Sequence, residues 1–195
     1  IYSLAQKLSE VLYIIPVILI DSAYPPLARR FLDGDTPDWR HGQMMFDLAV
    51  GGSLLATGVA ILFAEPVINA VFGSGYDRSV DIFYIHAWSC VAIAMNAARH
   101  CWLATTSLQR FAPIVTAIGL VANVALNLVL IPSHGAVGAA IATVVSYFAT
   151  GYFASFLFPE LHSIGRMQTR ALWPWKRLYL SIGTLHESYM RNSRR

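Results

Sequence analysis

The chain has 195 residues, 56% apolar and only 13% charged, with a mean hydropathy of +0.52 and a net charge of +3. Soluble domains carry about 25% charged residues; half that share cannot cover a water-facing surface, which excludes an ordinary soluble fold and points to lipid as the solvent. The surplus positive charge lies in loops and tail rather than along one continuous face, so anionic lipid headgroups fit it better than nucleic acid does.

Five stretches are long enough to cross about 30 Å of hydrocarbon, which takes about 20 apolar residues. The pattern predicts spans over residues 3–24, 44–63, 82–98, 111–131 and 137–158, an all-α polytopic bundle of five transmembrane helices, with a basic tail over 159–195. The first span carries Gln6, Lys7, Ser9 and Glu10 in its opening turns and Pro16 further along. The chain opens on Ile1 inside a patterned segment, with no signal-peptide pattern, and is expected to be the C-terminal part of a longer protein. Cys90 and Cys101 fall in one predicted helix, about 16 Å apart along its axis, too far for a disulfide.

Lys and Arg orient the spans. The 25–43 loop, the 99–110 loop and the tail hold three, two and seven of them, twelve in all, against two (Lys7 and Arg78) on the other side. This bias predicts a cytoplasmic C-terminus and an external Ile1. The loops are too short to hide a soluble catalytic domain. The tail, with Trp173-Pro174-Trp175, reads either as an interfacial segment lying on anionic lipid or as a disordered end that only fixes topology.

Polar groups inside the spans are costly and therefore informative. Gly138, Ala142, Ser146 and Thr150 recur at steps of four, a small face for close helix contact. Thr116, Gly119, Asn123 and Asn127 form one stripe of the fourth span; its amides either join helices or line a solvated cavity that meets a polar substrate. Asp21, Asp81 and Arg99 sit near predicted helix ends, where they read as snorkelling interface residues or as functional ones. Asp47 shares a face with Gly51 and Gly58, and His86 lies in the third span; both are balanced between structural and functional roles. No Ser/His/Asp set, metal-ligand spacing or nucleotide-binding glycine pattern is present, so no enzymatic activity, cofactor or metal is expected.

The segment Tyr2-Ser3-Leu4-Ala5-Gln6-Lys7-Leu8-Ser9-Glu10, with Pro16 and Tyr24-Pro25, resembles the helix that follows the midpoint of bacterial polysaccharide flippases. These are the Wzx-type lipid-linked oligosaccharide transporters of the multidrug/oligosaccharidyl-lipid/polysaccharide (MOP) superfamily. Phe72-Gly73-Ser74-Gly75-Tyr76 looks like that family's FG-x-x-Y segment. Asn127 to Pro132, followed by Gly135 to Thr143, is similar to its N-x-x-L-I-P…G-x-x-G-A-A-x-A-T signature. The likeness covers residues 1–158.

The resemblance implies most of the C-terminal lobe of a twelve-helix transporter, whose N-terminal lobe would be the missing partner. It implies a multi-pass protein of the bacterial cytoplasmic (inner) membrane that moves undecaprenyl-pyrophosphate-linked repeat units between leaflets for polysaccharide biosynthesis. Arg99, and with it Arg29 and Arg30, would then meet the pyrophosphate. Asn96, Asn123 and Asn127 would meet sugar hydroxyls, and Asp47 or His86 would couple transport to an ion. The alternatives are a cation-coupled exporter of the same superfamily, which would favour acidic residues in its cavity, and a membrane scaffold without transport. A polysaccharide polymerase would need a large external loop with paired basic residues, which the sequence lacks.

Overall fold

The computed structural model describes residues 2–22, 39–73 and 75–173, and among them every regular element is helical. The elements are α1 (Tyr2–Leu12), α2 (14–22), α3 (Trp39–Phe72), α4 (Asp77–His86), α5 (Ser89–Thr105), α6 (Phe111–Gly151), two short 3₁₀ turns (Phe153–Phe156 and Pro159–Leu161) and α7 (His162–Ala171). Four helical stretches are long and apolar enough to cross a membrane: Tyr2–Ser22, Trp39–Phe72, Arg78–Thr105 and Phe111–Phe156. Their outer faces carry large bare apolar side chains, such as Leu55 at 71%, Leu62 at 72% and Leu128 at 73% exposure. Apolar area on that scale suits lipid and not water.

Four stretches stand where five spans were expected because 111–131 and 137–158 run into one helix. That helix reverses on itself. Gly135 adopts φ 55°, ψ −129°, outside the helical region, and a side chain there would be strained. Pro132 removes the N–H that would bond the Leu128 carbonyl. The Ser133 hydroxyl donates to the carbonyls of Val129 (3.2 Å) and Leu130 (3.3 Å), satisfying backbone at the tip. Beyond the turn the arms lie against each other: a Cβ on Gly119 would collide with Thr150, and one on Gly138 with the Leu130 backbone. On a straight helix Gly119 and Thr150 would be about 45 Å apart. The small face at Gly138, Ala142 and Ser146 is buried, as the step of four predicts.

Two further breaks matter for the site. At Tyr13 the chain makes an i−3 bond (N–H to the Glu10 carbonyl, 3.1 Å), and Pro16 leaves the Leu12 carbonyl without its helical donor. Between α4 and α5, the N–H groups of Trp88, Cys90 and Val91 all bond three residues back. The Thr57 hydroxyl of α3 donates to the Ala87 carbonyl at that bend (3.3 Å).

The apolar interior forms two clusters. One gathers Ile20, Met45, Phe46, Val50, Val91, Met95 and Trp102 with Ile164, Met167 and Ala171 of α7. The other gathers Ala5, Ile68, Val80, Ile82, Phe83, Ala87 and Ala140. Part of the predicted tail is thus a helix packed on the bundle and not a disordered end. α7 packs on α3, and its fully buried Gln168 donates to the carbonyls of Gly151 (2.6 Å) and Met95 (3.3 Å). Gln43 of α3 reaches the Met167 carbonyl at 3.0 Å. Trp173 is exposed; Pro174, Trp175 and the basic residues after them lie outside the described residues.

Candidate functional site

α5 runs to Thr105, so Arg99 belongs to a helix and not to a loop. The expected loop charge is in fact inside: Arg99 is 0% exposed. Its guanidinium donates to the Thr150 carbonyl at the end of α6 and to the Asn96 side-chain oxygen one turn earlier, while its Nε has no partner. Among the described residues no carboxylate pairs with it. Positive charge at the carbonyl end of a helix meets the negative pole of the helix dipole, and Gln168 takes the next carbonyl, that of Gly151. Asn96 and Arg99, one turn apart on α5, share a face that is enclosed within the bundle rather than set at an open mouth. Snorkelling does not describe it either.

Asn123 and Asn127 are partly buried and spend one bond on each other, the Asn127 amide donating to the Asn123 oxygen at 2.9 Å. Their remaining polar capacity faces away from that bond. Thr116 is exposed and bonds back to the Ala112 carbonyl, so it does not extend the stripe inward. Asp47 is partly buried and accepts from Gln43 at 2.7 Å. It therefore lies near the α3–α7 contact, well away in sequence from the helix breaks. Asp21 and Asp81 are exposed. Arg29 and Arg30 lie outside the described residues, as do Ile1, Tyr24-Pro25 and Ser74.

His86 is placed differently from all of these. It closes α4 at the bend, is 2% exposed, and its Nδ1 lies 3.2 Å from the Tyr13 hydroxyl at the break of the first helix. Its Nε2 is buried without a partner. Tyr2 stacks edge-on against the ring, with centroids 6.3 Å apart. Glu10, one turn before Tyr13, accepts from Gln6 at 2.9 Å and sits 3.9 Å from the Lys7 ammonium. Cys90 donates its thiol to the Leu12 carbonyl that Pro16 leaves free, at 3.5 Å. Sequence reasoning found His86 but missed its partner: Tyr13 reads as one more apolar-face aromatic, and only the proline three residues later signals that its turn is irregular. No group of three metal-ligating side chains occurs among the described residues.

No protein-family model, curated protein or solved structure matches this chain.

Proposed function

We propose that this chain is part of a membrane flippase that carries a polyprenyl-pyrophosphate-linked oligosaccharide across the bacterial cytoplasmic membrane. The observation that carries the reading is the signature segment from Asn127 to Thr143. Its Pro132, Gly135 and Gly138 are the residues that a tight helical reversal demands, and its Asn127 shares a polar stripe with Asn123. The reversal supports five crossings, since a helix of 41 residues would be about 60 Å long if straight, twice the hydrocarbon thickness. Helices interrupted where polar groups meet are the usual setting of transporter sites. No bond is made or broken in the reaction. A headgroup with two negative charges and a glycan must exchange water for protein donors, and Asn123, Asn127 and Asn96 offer amides to hydroxyls. In this conformation Arg99 is turned to its own lobe, so the pyrophosphate contact falls to it only after a rearrangement, or to other cations such as Arg29 and Arg30.

The test is genetic and direct. Deleting the gene that encodes this chain should abolish surface glycan and leave lipid-linked repeat units in the inner leaflet; restoring the gene should reverse both. Unchanged surface glycan in the deletion strain would sink the reading.

Orientation follows from charge. With Arg99 removed from the loop tally the bias is still eleven to two. Single cysteines at Ser133, at the exposed tip of α6, should label from outside intact cells with an impermeant thiol reagent. Cysteines at Ser107, in the short turn before α6, should label only after permeabilisation. The opposite pattern would invert the topology.

A further inference from the structure

Two stretches of chain that pass from one apolar cluster to the other do so at a break in their helix. α1 belongs to one cluster through Ala5, whereas Ile20 of α2 belongs to the other. Ala87 ends the α4 cluster, whereas Val91 of α5 begins the other. Both stretches lose regular helix at that crossing, at Tyr13 and over Ala87–Trp88. α3 also joins the clusters, running unbroken from Met45 in one to Ile68 in the other, and α6 contributes Val115 to one and Ala140 to the other; beside them the two breaks form a seam. What ties the breaks to each other is polar: Tyr13 with His86, and Cys90 with the Leu12 carbonyl.

From this the geometry points to His86 as a proton-binding site whose occupancy opens the seam between the two broken stretches. A neutral imidazole needs one donor and one acceptor, and the Tyr13 hydroxyl satisfies Nδ1 in either tautomer. Nε2 is left over, buried and unpartnered. A proton taken from water onto the ring makes both nitrogens donors and adds a charge. The closed seam has no acceptor on Nε2, and an unpaired buried charge costs several kcal/mol. Water or the Glu10 carboxylate must then reach the ring, and either requires the breaks to part.

The titratable and charged groups that face this site are Tyr2 and Glu10 of α1, the latter held by Lys7, with Tyr13 at the break, Cys90 of α5 and Tyr147 of α6. From α3 comes only the neutral Thr57 hydroxyl, on the Ala87 carbonyl. Glu10 is the one anion of the set, and within α1 it is held by Gln6 and Lys7. A protonated His86 gives it a second cation to turn to.

This inference deepens the transport reading but is measured apart from it. The chain, with Cys101→Ser as background, is reconstituted in lipid nanodiscs with ¹⁵N-labelled histidine. Of the six histidines, the resonance lost in His86→Gln is followed by solid-state NMR from about pH 8.5 to 5, the range in which imidazoles titrate. In parallel, Cys90 labelling by a small neutral maleimide is measured and divided by the rate for glutathione at each pH, which removes the thiolate fraction. His86 should protonate, and normalised Cys90 labelling should rise with it, by up to about tenfold per pH unit for a single-proton equilibrium. In Tyr13→Phe the tie is absent, so labelling should be high throughout; in His86→Gln it should lose its pH dependence. A His86 resonance that stays neutral overturns the proposal, as does labelling in Tyr13→Phe that matches the parent. Glycan export is scored separately in the same variants. A protonating, opening seam in a strain whose surface glycan does not depend on the gene would leave this inference standing and remove the flippase.

Discussion

Arg99→Ala should destabilise the bundle by about 3 kcal/mol or more. Two part-buried acceptors, the Thr150 carbonyl and the Asn96 side-chain oxygen, lose their donor, at ~1–3 kcal/mol each at most, and a large cavity opens where the Arg99 side chain has no exposure. Arg99→Lys should cost less but still be measurable, because a point-like ammonium cannot serve two acceptors in a fixed fork. Arg99→Met separates structure from function. It fills the volume and removes the cost of burying a charge, so its loss of stability should be smaller than that of alanine. Unfolding followed in bicelles by added denaturing detergent reads the order Ala, then Lys and Met. Equal stability of Arg99→Ala and the parent would mean that the guanidinium does not hold α6 to α5. Conversely, Arg99→Met that folds normally yet exports no glycan would assign the charge to substrate.

Gly151→Ala is expected to damage the packing of the bundle, and a single methyl suffices. The added Cβ would collide with the Ala92 backbone carbonyl, which cannot rotate away as a side chain can. The helices must separate, at about 1–3 kcal/mol for overpacking, and the Gln168 bond to the Gly151 carbonyl is disturbed with them. Gly58→Ala is the matched control. Nothing lies within 4 Å of its added Cβ, and alanine is the better helix former by ~1 kcal/mol, so stability should hold or rise. The same unfolding assay compares the two; a Gly151→Ala protein as stable as Gly58→Ala would contradict the close approach of α5 and α6.

These two sites show what a single sequence discloses and what it withholds. The reversal of α6 is legible because proline and glycine act locally: Pro132 removes a donor and Gly135 admits a positive φ, whatever surrounds them. The small face of the second arm is legible for a similar reason, since a period of four needs no knowledge of the partner. The bend at Ala87–Trp88 is not legible. It contains neither glycine nor proline, and its cause is tertiary: Thr57 of another helix takes the Ala87 carbonyl. Arg99 is misread as a loop charge because its partners are a neighbouring amide and a backbone carbonyl fifty-one positions away. Charge patterning counts cations but cannot see a helix terminus that accepts one. α7 escapes notice because its buried apolar residues, Ile164, Met167 and Ala171, are sparse among Arg166, Gln168 and Arg170. Ten residues of mixed character gain their helix from the groove they fill.

The reversal at Gly135 also bears on how the chain is made. If both arms of α6 cross the bilayer, they can leave the translocon as a preformed pair, with Gly119 already seated against Thr150. Only the tip, residues 132–136, then has to pass through the hydrocarbon. It would do so with the Val129 and Leu130 carbonyls already bonded to Ser133 and with no Lys, Arg, Asp or Glu to dehydrate. The barrier to inserting the last two crossings is thereby set by a few neutral residues, and the second arm needs no topogenic signal of its own, because the first one delivers it.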